Sequence, residues 1–441
     1  MTGPWQLHAP AWQAEAPEAA SSAATGRRGV AEVIARGPTD VLLLAVVTAL
    51  VTLGLVSVYS GSAVGAFFDS RDGNDAYYLV RQQTYVGLGL LALLVGMRLD
   101  YRWWWRLRYW VLLSSWGMLA LVFVPGVGVE VNHATRWINL GFMRFQPAEW
   151  AKLASVMYFS YSIAKKGESI TRMVDSILFH GVIATIYVAL LLLQPDTGTS
   201  FIIAAVLMAL LWLGGARMHF IIGLGLLGVV GLAALINAGG YRSARVMAWL
   251  DPWEHAAEQG YQLVNAYVAL ASGGIDGVGL GEGRGRLGYI PELYNDFIGA
   301  GVGEEFGLLG MGALCALYLV FLWRGAVIAL RATDRFGFLL AFGITFLVTL
   351  QACINLSVVT GLAPTKGLTL PFVSYGGSSM IVLLLAVGVL LNIGQRNPDL
   401  WQQRQMDRQT QREQRRWQLR QARVIERNRT RAWKAVRNQD E

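Results

Sequence analysis

Asp296 is the residue of this sequence best suited to move a proton. It lies in the run PELYNDFI (291–298), among aromatic and apolar neighbours, just ahead of a long hydrophobic stretch. A carboxyl in such surroundings has its pKa raised and can serve as a general base. Glu149 and Lys152 form a second constellation, at the head of another hydrophobic stretch. Only twelve uncharged residues separate Lys152 from Lys165, too few, at about 1.5 Å each, to cross about 30 Å of hydrocarbon. A helix there must start earlier, and Pro147 suits a first helical turn. That start places Glu149 and Lys152 on one face at i, i+3. An ionisable pair at such a depth either faces a functional cavity or pins two helices as a salt bridge, and residue types alone leave both open.

Other polar residues gather in the same kind of place. Lys366 is the sole charge between Arg335 and Arg396, flanked by Pro364 and Pro371 in a Gly/Pro/Ser-rich stretch. That pattern suits broken helix opening onto a cavity, with snorkelling to headgroups as the plainer account. Arg136 precedes Trp137 and Phe142 in 133–149, a segment read as an interfacial re-entrant turn with Arg136 available to an anionic headgroup. A membrane aromatic belt explains the rings but not the arginine. Asp196, in QPDTG, reads on its own as a helix cap or turn former. Glu304 and Glu305 stand two helical turns beyond Asp296, where a helix dipole favours acidic residues, and that account is preferred for Glu305. The glycine-dense run 273–288 superficially offers GxGxxG (283–288), but no strand precedes it and no βαβ unit follows, which excludes a dinucleotide site. His133, His180, His219 and His255 lack metal-ligand spacing, and Cys315 and Cys353 both lie within apolar runs. No protein-bound metal site is expected.

The elements that must carry these residues are membrane helices. Hydrophobic residues make up 54% of the 441 and charged residues only 15%, and apolar runs long enough to span recur throughout. The fold class expected is an all-α polytopic membrane protein with ten transmembrane helices, near 40–59, 81–97, 109–128, 147–164, 175–194, 198–214, 218–238, 303–323, 336–358 and 372–394. Basic loops at Arg98–Arg108, Lys165–Arg172, Arg217 and Arg324–Arg335 alternate with acidic or glycine-rich ones. By the positive-inside rule both termini are then cytoplasmic. The large loop between spans seven and eight, 242–305, faces outward and carries 4 basic against 9 acidic residues. Three regions follow: a disordered cytoplasmic tail (1–39), a membrane domain (40–395) and a basic cytoplasmic tail (396–441). The last holds 13 basic and 6 acidic residues, so most of the net charge of +8 is local and nothing global argues for nucleic acid. Arg404, Arg408, Arg412, Arg416 and Arg420 repeat every fourth residue, as in a solvated helix or one that meets anionic lipid.

Motifs at four places along the chain, in this order, resemble the SEDS family, the shape, elongation, division and sporulation proteins. They are RWINLG (136–141) with QPAEWAK (146–152), QPDTG (194–198), PELYNDFI (291–298) with GEE (303–305), and PTKGLTLPFVSYGGSS (364–379). The resemblance covers about 40–395 and neither tail. Pro252–Trp253, GYQL (260–263) and GVGLG (277–281) look more like the division branch of the family than its elongation branch. One departure stands beside the central acid, where Tyr294–Asn295 replaces the family's usual His-Thr.

The resemblance implies a peptidoglycan glycosyltransferase of the cytoplasmic (inner) membrane, polymerising lipid II at its outer face, with septal cell-wall synthesis as the implied setting. Asp296 would be the catalytic base for the acceptor GlcNAc 4-hydroxyl. Substrate-binding candidates are the cations Arg136, Lys152 and Lys366, helped by Arg242 or Arg245, with Glu149, Asp196, Glu304 and Ser378 positioning. A divalent cation (Mg2+ or Mn2+) could arrive with the pyrophosphate. The implied partners are a class B penicillin-binding protein transpeptidase (FtsI-like), other divisome proteins and membrane lipids, with no nucleic acid. The rivals are an elongation polymerase and a flippase for lipid II; a transporter, however, would need charges at mid-membrane, whereas these gather at the outer boundary.

Overall fold

The computed structural model describes residues 37–396 apart from 70–72, 132–133, 142 and 238, together with 421. The regularly spaced arginines of the C-terminal tail and the possible contribution of His133 and Phe142 lie outside these residues. The described residues 39–394 form one compact unit.

Ten helices stand where the ten hydrophobic stretches lie. They are α1 (Val41–Asp69), α2 (Tyr77–Arg98), α3 (Arg102–Leu121), α4 (Pro147–Lys166), α5 (Phe179–Leu193), α6 (Thr197–Leu213), α7 (Met218–Asn237), α10 (Ile298–Leu330), α11 (Arg335–Val359) and α12 (Gly377–Gln395). Two short helices, α8 (Tyr241–Leu250) and α9 (Tyr261–Gly273), lie in the long connection. Among the described residues six helices are long and apolar enough to cross a membrane: α1, α2, α5 with the π-turn before it, α10, α11 and α12. The shorter α6 and α7 are also apolar. Contacts between helix ends place the head of α4 by the head of α12, through Gln146 and Ser378, the C-terminal part of α1 by the N-terminal part of α10, through Ser60 and Glu305, and the ends of α3 and α5 together, through Leu119 and Gln194.

The centre is α4, which packs on α3, α6 and α11. Every residue from Pro147 to Ile163 except Trp150 is buried, as expected of a helix enclosed on all sides. By contrast α7 exposes Ile222, Leu226, Leu227, Val229 and Val230, an apolar surface suited to a lipid environment. Pro147 does open α4, after an extended Gln146, and Gly167 closes it at φ 53°.

Two features depart from the sequence reading. The all-helical expectation fails between α3 and α4, where β1 (Gly128–Val131), β2 (Ala134–Asn139) and β3 (Arg144–Phe145) form a small antiparallel sheet. Trp137 pairs with Val129 in its ladder instead of sitting on a re-entrant turn. The β-branched and aromatic residues of ATRWIN suit a pleated strand. The last helix also starts later than residue 372, since 360–376 is irregular. Its middle nevertheless plunges into the bundle. Leu368, Leu370, Phe372 and Val373 are buried, and a Cβ on Gly54, near the middle of α1, would lie 2.7 Å from the Phe372 carbonyl. The 360–376 segment is therefore a re-entrant loop. Tyr318 of α10 donates to the Pro371 carbonyl at 2.6 Å, meeting a backbone group that water cannot reach.

Candidate active site

Asp296 sits on a turn that apolar residues nail down. Ile290, Leu293 and Phe297 are buried with Ala266, Ala269, Ala300, Val358 and Val359, leaving Asn295 and Asp296 partly open. The Asp296 carboxylate points toward the re-entrant loop, since a Cβ on Gly367 would lie 3.8 Å from its Oδ2. The surrounding protein, by stripping water from the carboxylate, pushes its pKa up to about 6, while its own backbone amide and Arg245 pull downward and Glu292 adds to the rise. A base of that strength is ionised at neutral pH yet still takes a proton.

Two cationic residues lie on the segments flanking this carboxylate. Arg245 of α8 donates to the Thr365 carbonyl at 3.2 Å, and Trp249, one turn on, donates to the Gly361 carbonyl at 2.8 Å. Helix α8 thus straps the loop that carries Lys366. The Lys366 ammonium stands 4.9 Å from the centre of the Phe201 ring, and burial lowers its pKa. Arg242 is half-buried in the first turn of α8.

Polar side chains of α11, of α2 and of the re-entrant loop itself hold the loop and the turn together. Asn355 of α11 donates to the carbonyls of Asp296 and Leu368, both at 2.7 Å. Gln351, one turn earlier, donates to the Thr369 carbonyl at 2.8 Å. Ser374 donates to the Asn295 carbonyl at 2.5 Å, and the Tyr375 N–H to the Tyr294 carbonyl at 2.9 Å. Gln82 of α2, fully buried, donates to the Ser374 carbonyl at 3.2 Å and accepts from the Gly376 N–H at 3.3 Å. The amides Asn355, Gln351 and Gln82 did not stand out in the sequence. Their signal is an amide inside an apolar span, which needs a partner there as a charge does.

The remaining predicted residues are engaged by the protein, one Glu149 oxygen excepted. Lys152 is buried, with its ammonium 2.9 Å from Glu149 Oε1 and 2.6 Å from Gln351 Oε1. The second Glu149 oxygen is buried with no hydrogen-bond partner among the described residues. Arg136 donates to the carbonyls of Gln194 and Pro195 at 2.9 and 2.7 Å, tying β2 to the turn between α5 and α6. Asp196 caps α6 by accepting from the Thr199 N–H at 2.9 Å. Ser378 accepts from the Gln146 N–H at 2.8 Å and so fastens α12 to the head of α4.

Glu304 and Glu305 organise the glycine-dense loop. Glu304 accepts the N–H groups of Arg284 (2.7 Å) and Gly285 (3.1 Å), while Glu305 accepts from the Gly281 N–H at 3.2 Å and from the Ser60 hydroxyl. Helix α10 breaks at Gly307, where φ is 65° and ψ −161°. The backbone groups freed by the break are met by the loop. Val278 and Gly279 donate to the carbonyls of Glu304 and Glu305 at 3.0 and 3.2 Å, and Leu308 and Leu309 donate to Gly274 and Ile275 at 3.0 and 3.2 Å. So close a backbone approach leaves no room for side chains.

Fold and site together define a multi-pass helical membrane protein with a half-buried carboxylate and two cations at one end of its bundle. Residues 40–398 match the family described as cell cycle protein, FtsW/RodA/SpoVE, and the chain belongs to that family. It is 43% identical over 357 residues to the probable peptidoglycan glycosyltransferase FtsW of Geobacter metallireducens, covering 81% of this chain and 95% of that protein. It is 37% identical over 359 residues to stage V sporulation protein E of Bacillus subtilis, covering 80% and 96%. A solved structure described as coordinating polymerization and crosslinking in a peptidoglycan synthase complex matches with TM-score 0.69 at 31% identity, over 82% of this chain and 98% of that one. The rod shape determining protein RodA of Thermus thermophilus matches with TM-score 0.60 at 28% identity, over the same shares.

Proposed function

We propose that this chain is a peptidoglycan glycosyltransferase that polymerises lipid II, with Asp296 as its base. The observation that carries the role of Asp296 is its carboxylate, half-buried, raised to about 6 and aimed at the Lys366 loop. The base accepts the proton of the acceptor GlcNAc 4-hydroxyl. The freed oxygen attacks the anomeric carbon of the donor as the bond to the pyrophosphate breaks, and polyprenyl pyrophosphate leaves with that electron pair. A single displacement inverts an α-linked donor to a β-linked product, so one base suffices.

Lys366, Arg245 and Arg242 are the cations proposed to meet the pyrophosphate, since fixed positive charge near a leaving group lowers the barrier to departure. Arg136, Glu149, Lys152, Asp196, Glu304 and Ser378 act as positioning residues, a role supported by the protein groups that engage them. Among the described residues no three His, Cys, Asp or Glu side chains cluster as metal ligands. A divalent ion carried by the pyrophosphate would belong to the substrate, and no step is routed through one.

The proposed topology has ten spans, both termini in the cytoplasm and 242–305 outside, with 1–39 and 396–441 as tails. Alternation of basic loops supports it, as does the clustering of Asp296, Arg245 and Lys366 at the end of the bundle that this topology puts outside. The similarity to the named FtsW proteins supports a place in septal synthesis among other division proteins. The likeness to a synthase complex that coordinates polymerization with crosslinking supports a class B penicillin-binding protein as partner, crosslinking what this chain polymerises.

The test is glycan synthesis from purified lipid II in liposomes, with and without a class B partner, comparing wild type with Asp296→Asn at matched folding. Polymer from wild type alone is the expected result. Equal polymer from both removes Asp296 from the role of base. Transbilayer movement of lipid II with no polymer from either replaces the polymerase reading by a flippase.

A further inference from the structure

Five tyrosines from three separate parts of the chain meet at the turn that carries Asp296. Tyr77, Tyr78 and Tyr85 come from α2, Tyr294 from the turn two residues before the carboxylate, and Tyr375 from the re-entrant loop. Ring centres are 5.2 Å apart for Tyr77–Tyr78, 4.6 Å for Tyr78–Tyr294, 5.3 Å for Tyr78–Tyr375, 5.7 Å for Tyr294–Tyr375 and 6.3 Å for Tyr85–Tyr375. The rings form one continuous strip. Tyr77, at one end, is 37% exposed, and the others are half-buried, so the strip runs from the surface to the turn that carries the base.

A membrane aromatic belt does not account for this arrangement. Belt residues are spread along the two membrane–water boundaries, whereas these rings contact one another and are held by backbone. The Tyr375 N–H donates to the Tyr294 carbonyl, and Gln82 locks the following turn to α2. The Arg81 guanidinium lies 4.7 Å over the Tyr77 ring and adds a donor at the open end. A pyranose presents a face of C–H groups and a rim of hydroxyls. A tyrosine offers an apolar ring to the first.

We infer that the Tyr77–Tyr78–Tyr294–Tyr375 strip is a saccharide-binding track, along which the sugar units next to the reacting one stack. The inference rests on the polymerase reading and deepens it by locating the glycan. Such a track keeps a strand engaged between successive additions, so its loss shortens the product and weakens capture of lipid II.

The experiment uses the full chain with its class B partner in liposomes, supplied with lipid II and read by strand length and by KM against kcat. Tyr78→Ala is expected to shorten strands and raise KM by roughly threefold to tenfold, the scale of one lost ring contact, while Tyr78→Phe, which keeps the ring, restores both. Tyr77→Ala, at the exposed end where folding is not at stake, is expected to shorten strands in the same direction. Wild-type strand length and KM in both alanine variants overturn the track. So does a Phe variant as defective as the Ala one, because a hydroxyl and not a stacking ring would then be at work. If Tyr78→Ala does not fold, Tyr77→Ala decides alone. Wild type that makes no polymer overturns the polymerase reading and this inference with it, a result distinct from normal polymer of unchanged length.

Discussion

Asn355 donates from one nitrogen to the backbone carbonyls of Asp296 and Leu368, at 2.7 Å each. The proposed base and the loop bearing Lys366 are therefore registered on a single buried amide of α11. Replacing it with Ala leaves both carbonyls short of a donor, at a cost of about 1–3 kcal/mol, and frees the two segments to drift apart. A displacement near 1 Å at a reacting centre can cost about a hundredfold in rate. Asn355→Ala is expected to lower kcat by roughly tenfold to a hundredfold with less change in KM, measured per folded molecule after a melting assay. A fall in melting temperature with unchanged kcat would reduce Asn355 to a structural role.

Asp296 also sets a pH dependence. Its folded pKa of about 6 makes the carboxylate fraction, and with it the rate, rise through pH 6 and level off above it. The stability effect runs the other way. A folded pKa raised above the unfolded value means that the folded state binds the proton more tightly. The stability this contributes is complete below the unfolded pKa, near 4, and is lost as pH rises through about 6. Asp296→Asn is thus expected to be inactive yet more stable than wild type at pH 8, by roughly 1–3 kcal/mol, with the difference shrinking toward pH 4. Parallel melting of both proteins across that range checks it; a constant difference would mean that the carboxylate is not desolvated.

The legible parts of the molecule were those written in charge and hydropathy. Asp296 and Lys366 stand out against apolar or turn-rich surroundings, and the early start of α4 follows from the short distance between Lys152 and Lys165. The sheet 128–145 was missed because Trp137 and its neighbours suit a membrane boundary as well as a strand. The destination of the Arg136 guanidinium was hidden for another reason. Its acceptors are carbonyls 58 and 59 residues away, and backbone carbonyls carry no residue-type signal. The same holds for Glu304 and Glu305, whose partners are N–H groups of a glycine loop. Asn355, Gln351 and Gln82 were visible as letters, but being uncharged they do not break a hydrophobic run as Lys152 does.

The glycine loop gives a graded test of packing. Gly277 has φ 85°, and a Cβ there would lie 2.1 Å from the Glu305 carbonyl; Gly288 has φ 93° with nothing within 4 Å. Alanine at Gly288 bears only the left-handed backbone penalty, about 1–2 kcal/mol. Alanine at Gly277 must also push the loop off the broken α10, disrupting the bonds that Val278 and Gly279 make to Glu304 and Glu305. Gly277→Ala is expected to unfold or inactivate the protein under conditions in which Gly288→Ala still folds. Equal losses in the two would show that loop and helix do not touch this closely.

The buried pair on α4 separates positioning from contact with substrate. Lys152 and Glu149 are 2% and 6% exposed, and the ammonium is shared between Glu149 and Gln351. Lys152→Met removes the charge that balances Glu149 and leaves a carboxylate with neither oxygen paired by a cation, a loss of about 3–5 kcal/mol. Replacing both partners, with Lys152→Met and Glu149→Gln together, removes the stranded charge and the desolvation penalty that goes with it. The double variant is therefore expected to be more stable than Lys152→Met alone and to regain part of its polymerase activity. Melting temperatures and rates of the two singles and the double close the cycle. A double variant that regains stability but no activity would show that the Lys152 ammonium acts on the substrate itself, and would move it from the scaffold to the site.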